Sequence, residues 1–91
     1  MSEIDTMLDE RGKRYGVFTG HAAVTQSIKS VIRAQLLLRD KLLAHDQAEA
    51  LDMIAHKIGR IVNGDPDYAD SWDDIAGYAK LVGDRLRGVE R

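Results

Sequence analysis

The chain has 91 residues, 44% hydrophobic and 31% charged, with one Pro, no Cys and a net charge of −2. That apolar content excludes a disordered polymer, the lack of cysteine excludes a disulfide framework or thiolate metal site, and the charge balance gives no general drive towards nucleic acid. No apolar run approaches eighteen residues and no signal peptide is evident, so no membrane partner and a cytoplasmic location are expected. One domain of this size, spanning 1–91, has little stability to spare, and assembly as a homo-oligomer is the expected supplement.

The opening MSEIDTMLDE carries four acids and no base. Ser2 is placed to cap a short helix over about 3–10, with Glu3 and Asp5 at its positive end. Ile4, Met7 and Leu8 give that helix one small apolar face. The following RGKRYGVFTGH reads as a loop, because Gly12, Gly16 and Gly20 interrupt any helical pattern. From His21 to Leu43 no Gly or Pro intervenes. Val24, Ile28, Val31, Ile32 and Leu36 recur at threes and fours there, which predicts a long helix over 21–43. The consecutive Leu36, Leu37 and Leu38 broaden its stripe, so it is expected to meet more than one neighbour.

Asp46 and Glu49 form a capping-box-like pair for a helix over about 47–63, striped by Leu51, Ile54, Ala55, Ile58 and Val62 and stopped at Asn63-Gly64. Ser71 is the expected N-cap of the next helix, over about 72–87, with Asp73 and Asp74 in its first turn. Its expected buried stripe is Trp72, Ile75, Ala76, Ala79, Val82 and Leu86. No alternating pattern of strand length occurs. The architecture these elements imply is all-α: a three-helix bundle core with a short extra N-terminal helix. Gly59, Gly77 and Gly83 lie within the helices at about 1 kcal/mol each relative to Ala, so tight packing, within or between subunits, is expected around them.

Two clusters carry chemistry. Lys57, Arg60 and Asn63 share a side of the third helix, while Asp70, Asp74 and Tyr78 make a line along the fourth. Antiparallel packing of these helices sets the two groups opposite each other. Such a set reads either as an inter-helix salt-bridge network or as a site in which Lys57 and Arg60 hold a phosphate, Asp74 orients the arginine and Tyr78 lines the pocket. Upstream, Arg14 and Tyr15 in a glycine-rich segment suit stacking on a base with a cation beside it. Phe18 reads as a lid on the core and His56 as an exposed helix residue. Glu49 with Asp52, and Asp70 with Asp73, have the i, i+3 spacing of magnesium ligands, but capping and turn roles account for Glu49 and Asp70. The expected cofactor requirement is none.

The segments KIGRIVNG (57–64) and DSWDDIAGYA (70–79) resemble a family of small phage- and prophage-encoded proteins of unknown function, which share K-x-x-R-x-x-N-G followed by D-S-W-x-D-I-A-G-Y. The likeness extends more loosely to Arg14-Tyr15-Gly16 with Phe18 and to the run Ala50–Ala55. More distantly, the pattern is similar to MazG-type all-α nucleotide pyrophosphohydrolases, although the paired glutamates of that metal site are missing here. Together these resemblances imply a phage-type helical protein that binds a phosphorylated nucleotide or nucleotide-like signal without turnover, with sequestration of a host defence signal as one use. Arg14, Tyr15, Lys57, Arg60, Asp74 and Tyr78 are the expected ligand-binding residues. Two alternatives stand beside this reading. One is a protein–protein interaction module using the leucine-rich face of the long helix, and the other is a divergent magnesium-dependent nucleotide pyrophosphohydrolase.

Overall fold

Ser2 acts as its position predicts. Its hydroxyl accepts a hydrogen bond from the Asp5 amide at 3.1 Å, and α1 runs Glu3–Tyr15 in the computed structural model, which describes residues 2–91. The helix continues through the expected loop at Gly12 and stops only at Gly16, whose φ of 79° is left-handed. Lys13 and Arg14 fill its last turn, where positive charge suits the helix dipole and offsets the cost of one glycine. After the two-residue turn Gly16-Val17, α2 (Phe18–Leu38) starts three residues earlier than the periodicity suggests, with the Gly20 and His21 amides both donating to the Val17 carbonyl. It also ends five residues early. Asp40 takes a φ of 52°, and the Lys41 amide turns back to the Leu36 carbonyl, which closes the helix as a left-handed cap does.

Helix α3 is His45–Asn63 and α4 is Ala69–Leu86. The cap of α3 is not Asp46 with Glu49: the Ala44 amide donates to Gln47 Oε1 at 2.9 Å instead. Asp46 is thereby free to grip Arg85 near the far end of α4 through two hydrogen bonds of 2.7 and 2.6 Å. Ser71 likewise is not the cap of α4. It is buried in the first turn, and Tyr68 holds the cap position.

Among the described residues there are four helices and no strand, and α2, α3 and α4 pack together as an all-α unit. The packing is a layer rather than a closed bundle. Helix α3 lies in the middle, with α2 against one side and α4 against the other, and α2 and α4 do not touch. Gly59 lets α2 approach, since a Cβ there would overlap the Thr25 methyl and press on the His21 ring. Gly77, by contrast, faces open space, and a Cβ at Gly83 would meet only the Arg87 side chain. The buried apolar residues are Ala50 and Ala55, and none of the large side chains described is fully buried. Ile75 and Val82 of the expected α4 stripe are half-buried, but Trp72, Ala76, Ala79 and Leu86 are exposed because no second helix covers that side of α4. Among the described residues no helix is long and apolar enough to cross a membrane.

Candidate functional site

Asn63 organises the residues that bear chemistry. At the end of α3 its side-chain amide donates to the carbonyls of Tyr15 and Val17, at 3.0 and 2.9 Å, and the Asp65 amide donates to the Arg14 carbonyl at 2.8 Å. The turn between α1 and α2 is thereby fastened onto the end of α3. Gly64 is required at that junction, because a Cβ there would run into the Tyr15 backbone and the Arg14 carbonyl.

This fastening brings four side chains into one run, with two tyrosines between two guanidinium groups. The Arg60 guanidinium lies 4.2 Å from the Tyr15 ring centroid, and the Arg14 guanidinium lies 4.2 Å from that of Tyr68. The two tyrosines meet edge to face at 6.2 Å. Each cation therefore sits on the electron-rich face of a ring, an arrangement that holds a guanidinium in place while leaving its N–H groups available. The Tyr68 hydroxyl donates to Asp70 at 2.8 Å, and that bond to a carboxylate pushes its phenol pKa up.

Between α1, α2 and α3 lies a hollow of about 510 Å³, lined by Leu8, Arg11, Gly12, Tyr15, Gly16, Val17, Phe18, His21, His56 and Arg60. Two imidazoles stand in its wall, with His21 Nε2 and His56 Nδ1 3.2 Å apart and the rings edge to face at 4.6 Å. Burial lowers both histidines, and the positive charges of Arg60 and Lys29 add to the effect; His56 is lowered to about 4. The Gly59 backbone favours the protonated His21 ring, yet His21 Nδ1 is buried without a hydrogen-bond partner. At neutral pH the hollow thus offers two uncharged imidazoles, two guanidinium groups and aromatic rings. It holds no carboxylate. The chemistry of such a set is complementary to an anion attached to a planar or apolar group.

The six residues expected at the site fall into two places. Arg14, Tyr15 and Arg60 come together on the α1 side of the layer. Lys57 and Asp74 pair with each other across the α3–α4 contact, Nζ to Oδ2 at 2.9 Å, with the lysine side chain 11% exposed and the carboxylate 48%. Asp74 therefore does not orient Arg60, which rests on Tyr15. Tyr78 lies away from the stack and borders shallow hollows on α4 near Arg85 and Asp74. Phe18 is not a core lid: it is 75% exposed and tilted against His21 at 6.2 Å. His56 is half-buried rather than exposed. The signal for the histidine pair lay in Gly59, three residues after His56, which marks the point where another helix approaches and brings His21 with it. Tyr68 left no signal beyond its place in an acidic turn. As for the acids with magnesium-ligand spacing, no three His, Asp or Glu side chains converge on one point among the described residues.

No curated protein matches the sequence, and no solved structure does. A family profile does match, over residues 2–86, so the chain belongs to the family described as a domain of unknown function, DUF6378.

Proposed function

We propose that the protein binds a phosphorylated nucleotide or nucleotide-like signal in the hollow between α1, α2 and α3, without turning it over. The observation that carries this reading is the Arg60 guanidinium stacked on Tyr15 at the edge of a hollow that Arg11, His21 and His56 also line. The volume of about 510 Å³ lies in the range of small-molecule sites. Binding without turnover is favoured by the absence of any carboxylate from the lining, since hydrolysis of a phosphoanhydride on magnesium needs oxygen ligands. The likeness of the 57–64 and 70–79 segments to phage proteins and, more distantly, to MazG-type enzymes suggests a nucleotide ligand, with sequestration of a host defence signal as the use. The same reading has the chain acting as a homo-oligomer, for which the support is its exposed apolar surface.

Calorimetric titration of protein stripped of co-purified ligand, against mono-, di- and cyclic nucleotides, tests the reading. One of the panel should bind, and Arg60→Gln should weaken it at least about tenfold, the loss of one charge-assisted contact, while Asp74→Asn leaves the affinity unchanged. Silence across the whole panel, or an Arg60→Gln variant that binds as the unmodified protein does, would sink it. An interaction module is the second reading, favoured by Leu37 and Leu42, which are 84% and 99% exposed.

A further inference from the structure

The layer has two unlike sides. His56 and Arg60 face α1 and mark one of them. Helix α3 meets α2 through Gly59 and meets α4 through Asp46 and Lys57. Because successive residues of a helix turn by about 100°, Leu51 and Val62 of α3 project on the side opposite His56 and Arg60. The same winding, with α2 and α4 both antiparallel to α3, brings Val31 and Leu38 of α2 and Trp72 and Leu86 of α4 to that side. All six are exposed, from 37% at Leu51 to 78% at Leu38. No Asp, Glu, Lys, Arg or His of these three helices falls within that side, although charged residues make up 31% of the chain.

We infer that this uncharged face is where a second copy of the chain packs, the two layers closing on each other to form the core that each lacks. This deepens the homo-oligomer part of the function proposed above and is independent of the ligand. Surface area is the main argument. The chain exposes 6775 Å², whereas a folded monomer of 10.1 kDa exposes roughly 5,300 Å². The excess of about 1,500 Å², to which α1 with no buried residue contributes, leaves room for the roughly 800 Å² that each partner loses in an ordinary specific interface. A second copy also suits the chemistry of the face. A two-fold contact sets the same surface against itself, and an uncharged apolar surface is self-complementary, whereas a charged partner would bury its charges unpaired.

Light scattering coupled to gel filtration, together with emission from Trp72, the only tryptophan, reads this directly. The unmodified protein at about 100 µM should have a mass of twice 10.1 kDa or a further even multiple. Dilution should lower that mass and shift Trp72 emission to the red as its ring meets water. Leu51→Glu and Ala79→Glu should give the monomer mass, while Glu49→Lys, on the opposite side of α3, changes neither reading. A monomer at every concentration with invariant Trp72 emission defeats both the homo-oligomer reading and the face. An oligomer left intact by folded Leu51→Glu and Ala79→Glu variants preserves the oligomer and defeats the face alone. A monomer that sediments with phosphatidylglycerol vesicles assigns the face to a bilayer and overturns the inference.

Discussion

His56 is where the protonation state of this chain couples most directly to its stability. In the folded chain its pKa is held to about 4, first by burial and then by Arg60, against 6.5 in the unfolded chain. Between those values the unfolded state takes up a proton that the folded state refuses. Stability is therefore complete above 6.5 and declines as pH falls towards 4. Thermal melts from pH 8 to 4 should show a midpoint that is level at first and then falls, with His56→Asn flattening the fall. The carboxylates act lower: hydrogen bonds from Arg85 to Asp46 and from Lys80 to Asp84 hold both acids below the ordinary 3.8, so their contribution is lost only as pH drops below that value. Asn63 carries a different load. Asn63→Ala removes two hydrogen bonds, one to the half-buried carbonyl of Tyr15 and one to the exposed carbonyl of Val17, and a loss of about 1–3 kcal/mol is expected in urea unfolding. The sequence marked Asn63 as a helix stop, but its grip on residues 46 and 48 positions away is a tertiary fact that no local pattern encodes.

At the scale of the element, helix existence was legible and helix ends were not. Periodicity found the bodies of α2, α3 and α4, since the 3.6-residue repeat extends over many residues and tolerates local exceptions. Ends depend on single bonds, and here Gln47 rather than Glu49 took the cap of α3 while Asp46 served Arg85. Glycine misled at one place and informed at another. Gly12 sits inside α1 with open space where a Cβ would project, whereas Gly59 is the contact point of α2 and α3. Gly59→Ala should cost about 1–3 kcal/mol through overpacking against Thr25, and Gly77→Ala, with nothing near it, should stabilise α4 by about 0.5–1 kcal/mol. Chemical denaturation of the pair of variants, read side by side, checks both. The Lys57–Asp74 pair belongs to the same contact. Asp74→Ala leaves a nearly buried ammonium without its counter-charge, and about 1–2 kcal/mol of stability is expected to go with it.

For the whole molecule, the Cα radius of gyration is 15.4 Å, against roughly 12 Å for a compact chain of this length. The difference has the same two sources as the excess surface: α1 buries no residue, and three helices in a layer have an inside only when something closes it. Midpoints of thermal unfolding should accordingly rise with chain concentration, as they do when folding and association are one equilibrium. Composition foreshadowed the small core, because few aromatics and a small chain leave little material for one. The open layer itself was not legible, since an amphipathic stripe is the same whether its cover comes from the same chain or another. The candidate site was legible in part for a similar reason. Arg14, Tyr15 and Arg60 were chosen as candidates from their chemistry, while the grouping of Lys57 with Asp74 away from them depended on how two helices rotate against each other.

One wall of the hollow differs from the others. Helix α1 has no buried residue and is held to the body around its last turn, where Asn63 and Asp65 bind the backbone of Arg14, Tyr15 and Val17. A helix of 13 residues is marginal in water when so little packs against it, so its amides should exchange with solvent deuterium far faster than those of α3. A molecule seated between Leu8, Arg11, Tyr15 and the two histidines would tie α1 along its length and slow that exchange. Deuterium uptake over residues 3–15 is therefore a label-free sensor of occupancy, usable on crude metabolite fractions before the identity of any ligand is known.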